Sequence, residues 1–164
     1  MASQATRTFA ILPVKRFADA KARLGDELSG GTRRALTEAM VTDVLMALRR
    51  TDAVHEVLVV TCEPAAEAIG RGYGARIVYD DVEAGQSPAA RIGIARAIED
   101  GATRVLLVPG DCPALDPAEL AAFLERRPEP GLTIVPDRHG SGTNALLLSP
   151  PDVIEPAFGP GSRE

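Results

Sequence analysis

Residues 104 to 120 of this chain, RVLLVPGDCPALDPAEL, leave little choice of fold. Val105, Leu106, Leu107 and Val108 form an unbroken apolar run. That is the pattern of a strand covered on both faces of a parallel sheet, not the alternation of a half-exposed one. Pro109 and Gly110 end the run, and Asp111 falls where the carboxyl end of the strand opens into a crevice. Asp116, Pro117 and Glu119 then read as the N-cap, first and third residues of a helix. Open α/β sheets bind ligands outside the carboxyl ends of their strands, which makes Asp111 a candidate metal ligand; plain turn formation is the other reading.

The rest of the chain repeats the strand-then-helix rhythm. Phe9 to Val14 suits a first buried strand, and Lys15, Arg16, Lys21 and Arg23 follow it closely. Cations in that place can gather phosphate oxygens, Lys as a point charge and Arg as a fork, where elsewhere they would form a solvated basic turn. Ser29 caps a predicted helix whose core face holds Leu36, Met40, Val41, Val44, Leu45 and Leu48. Val54 to Val60 is a second strand, Pro64 to Ile69 a short helix, and Arg76 to Tyr79 a third strand. Gly70, Gly72 and Gly74 precede a strand and open no helix, so they read as a turn and not as a dinucleotide fingerprint. After the acidic loop Asp80 to Gln86, Ser87 and Pro88 read as cap and first residue of a helix reaching Asp100, with Gly101 behind it. Leu132 to Val135 and Ala145 to Leu148 are strands on either side of PDRHGSGTN, a loop whose small residues let backbone N–H groups approach an anion or a base. His139 within it reads as solvent-facing.

Such alternation predicts a single α/β domain with a mostly parallel sheet flanked by helices. A length of 164 residues, 45% of them hydrophobic, suffices for one core and not for two. The net charge of -5 argues against a non-specific nucleic-acid binder. The first residues lack a signal-peptide apolar core, and no apolar run approaches the roughly 20 residues that span a bilayer, so a soluble, cytoplasmic protein without membrane partners is expected. Cys62 and Cys112 have no zinc-site spacing and are expected as unpaired thiols near strand ends. A basic loop, a carboxylate at a strand end and a Gly-rich loop, all on one face, are the parts needed for metal-assisted nucleotidyl transfer.

Four segments carry a resemblance: LPVKRFADAKARL (Leu12 to Leu24), PGDCPAL (Pro109 to Leu115), PDRHGSGTNALL (Pro136 to Leu147) and FGPGS (Phe158 to Ser162). In this order they resemble the 2-phospho-L-lactate guanylyltransferase family of coenzyme F420 biosynthesis, whose bacterial branch is also described as phosphoenolpyruvate guanylyltransferase. The resemblance implies a nucleotide-diphospho-sugar-transferase-like fold that joins GMP from GTP to a phosphorylated three-carbon acid (2-phospholactate, phosphoenolpyruvate or 3-phosphoglycerate), with Mg²⁺ and release of pyrophosphate. It further implies that Lys15, Lys21 and Arg23 bind the triphosphate and that Asp111 holds the metal. Gly142, Thr143 and Asn144 would lie near nucleotide and substrate, and Ser162 would hold the acid's phosphate or carboxylate. A homodimer is implied as well.

Two departures accompany it. Ser87-Pro88 stands where the family usually has Leu-Asn, and the family's later Asp-Thr-Pro-type carboxylate motif is not within residues 1 to 164. Residues 1–164 are therefore expected to be one nucleotidyltransferase-like domain without its C-terminal segment, Asp80 or Asp81 being candidate substitutes for the absent carboxylate. Other readings are a molybdopterin guanylyl- or cytidylyltransferase and a non-catalytic nucleotide-binding paralogue.

Overall fold

A computed structural model describes residues 5–18, 28–126, 130–140 and 142–158. Their strands are β1 (Thr8–Pro13), β2 (Glu56–Thr61), β3 (Arg76–Tyr79), β4 (Arg104–Leu107), β5 (Gly131–Pro136) and β6 (Thr143–Ser149). The helices are α1 (Gly30–Arg49), α2 (Pro64–Gly72), α3 (Gln86–Glu99) and α4 (Pro117–Glu125). One sheet in the order β3-β2-β1-β4-β6-β5 joins the strands. β3, β2, β1 and β4 run parallel, and β6 enters antiparallel to both β4 and β5.

Why β1, β2 and β4 are continuously apolar follows from this arrangement. Alternate residues point to opposite faces, and both faces are covered. Ala10, Leu12, Val57, Val59 and Leu106 join one core with Val44, Leu45 and Leu48 of α1 and Leu120 and Leu124 of α4. Phe9, Ile11, Leu58, Val60, Val105 and Leu107 join another with Ala90, Ile94 and Ala97 of α3. α3 lies very close to the sheet. A Cβ on Gly93 would stand 2.4 Å from Cγ2 of Ile11 and 3.0 Å from Cγ2 of Val60.

Three expectations need correction. Leu36 is 39% exposed, because the inward face of α1 passes through Thr37, which is buried and donates its hydroxyl to the Arg33 carbonyl. Gly70 and Gly72 belong to α2 and not to a turn; a Cβ on Gly70 would meet Cδ1 of Ile77 at 2.9 Å, so the glycine admits β3 beside the helix. Ser87 does not cap α3. Gly85, at φ +121, takes the N-cap position, and Pro88 is tolerated because the first helical N–H groups have no intrahelical acceptor. As the flanking strands predict, β5 and β6 form a hairpin, tied by the Asp137 N–H donating to the Gly142 carbonyl at 3.0 Å.

Candidate active site

Strand order reverses between β1 and β4. From β1 the chain first moves outward through β2 and β3, then returns to place β4 on the other side of β1. The helices that follow β1 and β4, namely α1 and α4, both pack on the same face of the sheet, so the chain leaves these two carboxyl ends toward one side. Ile11 lies opposite Leu107, so Lys15 and Asp111, each four residues further on, leave the sheet at the same level. Both are exposed. Because β6 is antiparallel, its first residues reach this same end: Leu146 pairs with Leu107, and Thr143 and Asn144 come just before it. A cleft follows, walled by Pro13, by Leu107 to Pro109, by Thr143 to Ala145, by Gln86 of α3 and by Phe158. Lys15 and Asp111 stand two residues beyond its walls Pro13 and Pro109.

Each loop is held locally. Behind Asp111, Cys112 and Leu115 are partly buried against the core, and the Leu115 N–H donates to the Cys112 carbonyl at 3.1 Å. Asp116 accepts from the N–H groups of Ala118 and Glu119 at 2.8 and 2.9 Å, starting α4 as the sequence predicts. In the hairpin, a Cβ on Gly142 would meet Oδ2 of Asp137 at 2.8 Å, so a larger residue there would displace that carboxylate. Phe158 is fixed by its N–H, which donates to the Ser87 hydroxyl at 2.8 Å. Ser87 therefore anchors the chain leading to the FGPGS segment.

Arg16, beside Lys15, is engaged elsewhere. Its guanidinium forks onto Glu83 with contacts of 2.7 to 2.9 Å, in the loop after β3. That bond holds the Glu83 carboxyl below its ordinary 4.5. Burial, reinforced by Glu83, pushes the Cys62 thiol above its ordinary 9.0. Neither cysteine is in a disulfide, as expected.

Lys15, Asp111, Gly142, Thr143 and Asn144 are thus brought to one end of the sheet, whereas Lys21, Arg23 and Ser162 lie outside the described residues. His139 is exposed. Asp80 and Asp81 do not join Asp111. β3 is three strand spacings from β4, about 14 Å, and Asp80 is buried and accepts from the Glu83 N–H at 3.1 Å. Among the described residues no group of three or more His, Cys, Asp or Glu could hold a metal ion. Asp111 offers a hard, exposed carboxylate, a donor that suits Mg²⁺ when phosphate oxygens and water complete the shell. Sequence reasoning missed Gln86, Phe158 as a wall of the cleft, and the buried Glu63. Only Phe158 carried a signal, through its motif.

Solved structures share this layout. A nucleotidyl transferase from Methanothermobacter matches with a TM-score of 0.65 over 91% of this chain and 74% of its own, at 21% identity. Rv0371c from Mycobacterium tuberculosis, in complex with manganese, matches with a TM-score of 0.58 over 88% and 71%, at 19% identity. At such identities the likeness is one of fold, and the fold is that of the nucleotidyltransferases, the enzyme class to which this chain belongs. The sequence narrows the class. The family described as "Guanylyl transferase CofC like" matches residues 8–163, and the chain is a member of it. A relative from Conexibacter woesei, named phosphoenolpyruvate guanylyltransferase, is 56% identical over 154 residues, covering 93% of this chain and 69% of the relative. Among the described residues no helix is long and apolar enough to cross a membrane.

Proposed function

We propose that this guanylyltransferase joins GMP from GTP to phosphoenolpyruvate, releasing pyrophosphate, as a step toward coenzyme F420. The observation that carries the reading is the level pairing of β1 with β4: Ile11 lies opposite Leu107, so a lysine and an aspartate each follow their strand at the same remove. The name of the Conexibacter woesei relative favours phosphoenolpyruvate over 2-phospholactate and 3-phosphoglycerate.

In this reading Lys15, with Lys21 and Arg23, binds the triphosphate and offsets its charge. Asp111 would hold Mg²⁺, which when bound supplies further charge neutralisation on the transferring and leaving phosphates. Thr143 and Asn144, presented by the antiparallel β6, and the backbone at Gly142 contact nucleotide and acid across the cleft. Ser162 takes the acid's phosphate or carboxylate. An oxygen of the acid's phosphate attacks the α-phosphorus in line; the new O–P bond forms as the bond to the β-phosphate oxygen breaks. The attacking oxygen is already anionic at neutral pH, so the chain's task is to orient it and not to remove a proton.

Incubation of the purified chain with GTP, Mg²⁺ and each acid in turn, followed by mass spectrometry of the products, tests the proposal. A GMP adduct with phosphoenolpyruvate in excess over the other two is expected. An adduct formed only with another acid would reassign the substrate, and GTP binding with no adduct from any acid would leave a nucleotide-binding protein.

A further inference from the structure

The loop after β1 is tied to the carboxyl end of β2 at several points, and none of the tying residues has a place in the chemistry above. Thr61 is 1% exposed; its hydroxyl donates to the Val14 carbonyl at 2.8 Å and accepts from the Glu63 N–H at 3.0 Å. The Val14 N–H donates to the Val60 carbonyl at 2.9 Å. Glu63 is 6% exposed and divides its two oxygens. Oε1 accepts from the Ala65 N–H at 3.2 Å, capping α2, and from Arg34 at 3.5 Å. Oε2 accepts from the Phe17 N–H at 3.1 Å, 46 residues away in sequence. The Phe17 ring is 1% exposed, with the Arg34 guanidinium 5.8 Å from its centroid.

A cap needs only one of those oxygens. The second is directed at the backbone that follows Lys15. We infer that Glu63 and Thr61 are positioning residues for triphosphate binding: they fix residues Val14 to Phe17, so that Lys15 is presented from backbone already ordered before the nucleotide arrives. This inference rests on the reading of Lys15 as a triphosphate ligand. Backbone ordered in advance costs nothing further on binding, whereas an untied loop must be ordered at the expense of affinity.

Calorimetric titration of the full chain with GTP and Mg²⁺ separates the possibilities. Glu63→Ser keeps a good N-cap for α2 but cannot reach the Phe17 N–H. A native far-UV spectrum and cooperative unfolding confirm that each variant folds; if Glu63→Ser does not, Thr61→Val, which loses the tie to Val14, decides by the same criteria. We expect Glu63→Ser to raise Kd for GTP about tenfold, the scale of one charge-assisted hydrogen bond, and to lose most of that effect in a Lys15→Ala background. An unchanged Kd in the folded variant, while Lys15→Ala weakens binding, overturns this inference alone. So does a Glu63→Ser effect that persists undiminished without Lys15. If the parent chain does not bind GTP, or Lys15→Ala binds it unchanged, the triphosphate reading itself fails and takes the inference with it.

Discussion

Among the described residues, a group of charged side chains is fixed by ionic partners. Arg16 illustrates this fixed group: the sequence alone places it with Lys15 among four cations, yet it is bonded to Glu83. Its partner lies 67 residues away, and no local pattern announces it. Lys15 and Asp111 follow apolar runs, and that position at a strand end is visible in the sequence itself. Asp100 belongs to the fixed group. Arg96 and then Arg76 hold its carboxyl below the ordinary 3.8. A carboxylate depressed on folding adds stability that is fully present above its unfolded value and is lost as pH falls through the folded one. Asp100→Asn should therefore lower the thermal midpoint at pH 6 and leave it less sensitive to acid than the parent's below about pH 4, a difference thermal melts from pH 6 to 3 would reveal.

At the scale of elements, caps and cores follow their local rules where local rules are the whole story. Ser29 accepts from the Thr32 N–H at 3.2 Å and Asp116 starts α4, both as the sequence predicts. Ser87 broke the rule because Phe158, far along the chain, takes its hydroxyl. Gly70 misled for the same reason. Inside α2 it answers to β2 and β3, as Gly93 in α3 answers to β1 and β2, and intrinsic helix preference, which disfavours glycine, gives no hint of it. Gly93 makes the point measurable. Alanine there is the better helix former, but its methyl would stand 2.4 Å from Ile11. Gly93→Ala is expected to destabilise the protein by about 1–3 kcal/mol through overpacking, seen as a lower denaturation midpoint at an unchanged slope. A stabilised variant would mean that α3 can move off the sheet at little cost.

For the whole molecule, topology assembles the site. An α/β class was legible in the alternation of apolar runs with capped helices. The order of the strands was not, because it is decided by which faces cover which, over separations of up to 96 residues. Only that order explains why Lys15 and Asp111 share a level, and why the β5–β6 hairpin brings Thr143 and Asn144 to them. It also separates Asp80 from Asp111 by two intervening strands. Pyrophosphate release by the parent chain and by Asp111→Asn, with GTP and phosphoenolpyruvate across a Mg²⁺ titration, decides whether GMP is transferred at the carboxyl ends of β1 and β4. Saturable release is expected from the parent and a rate lower by about 100-fold or more from the variant, with an unfolding midpoint like the parent's. Release by Asp111→Asn at the parent's rate and Mg²⁺ dependence would contradict that placement.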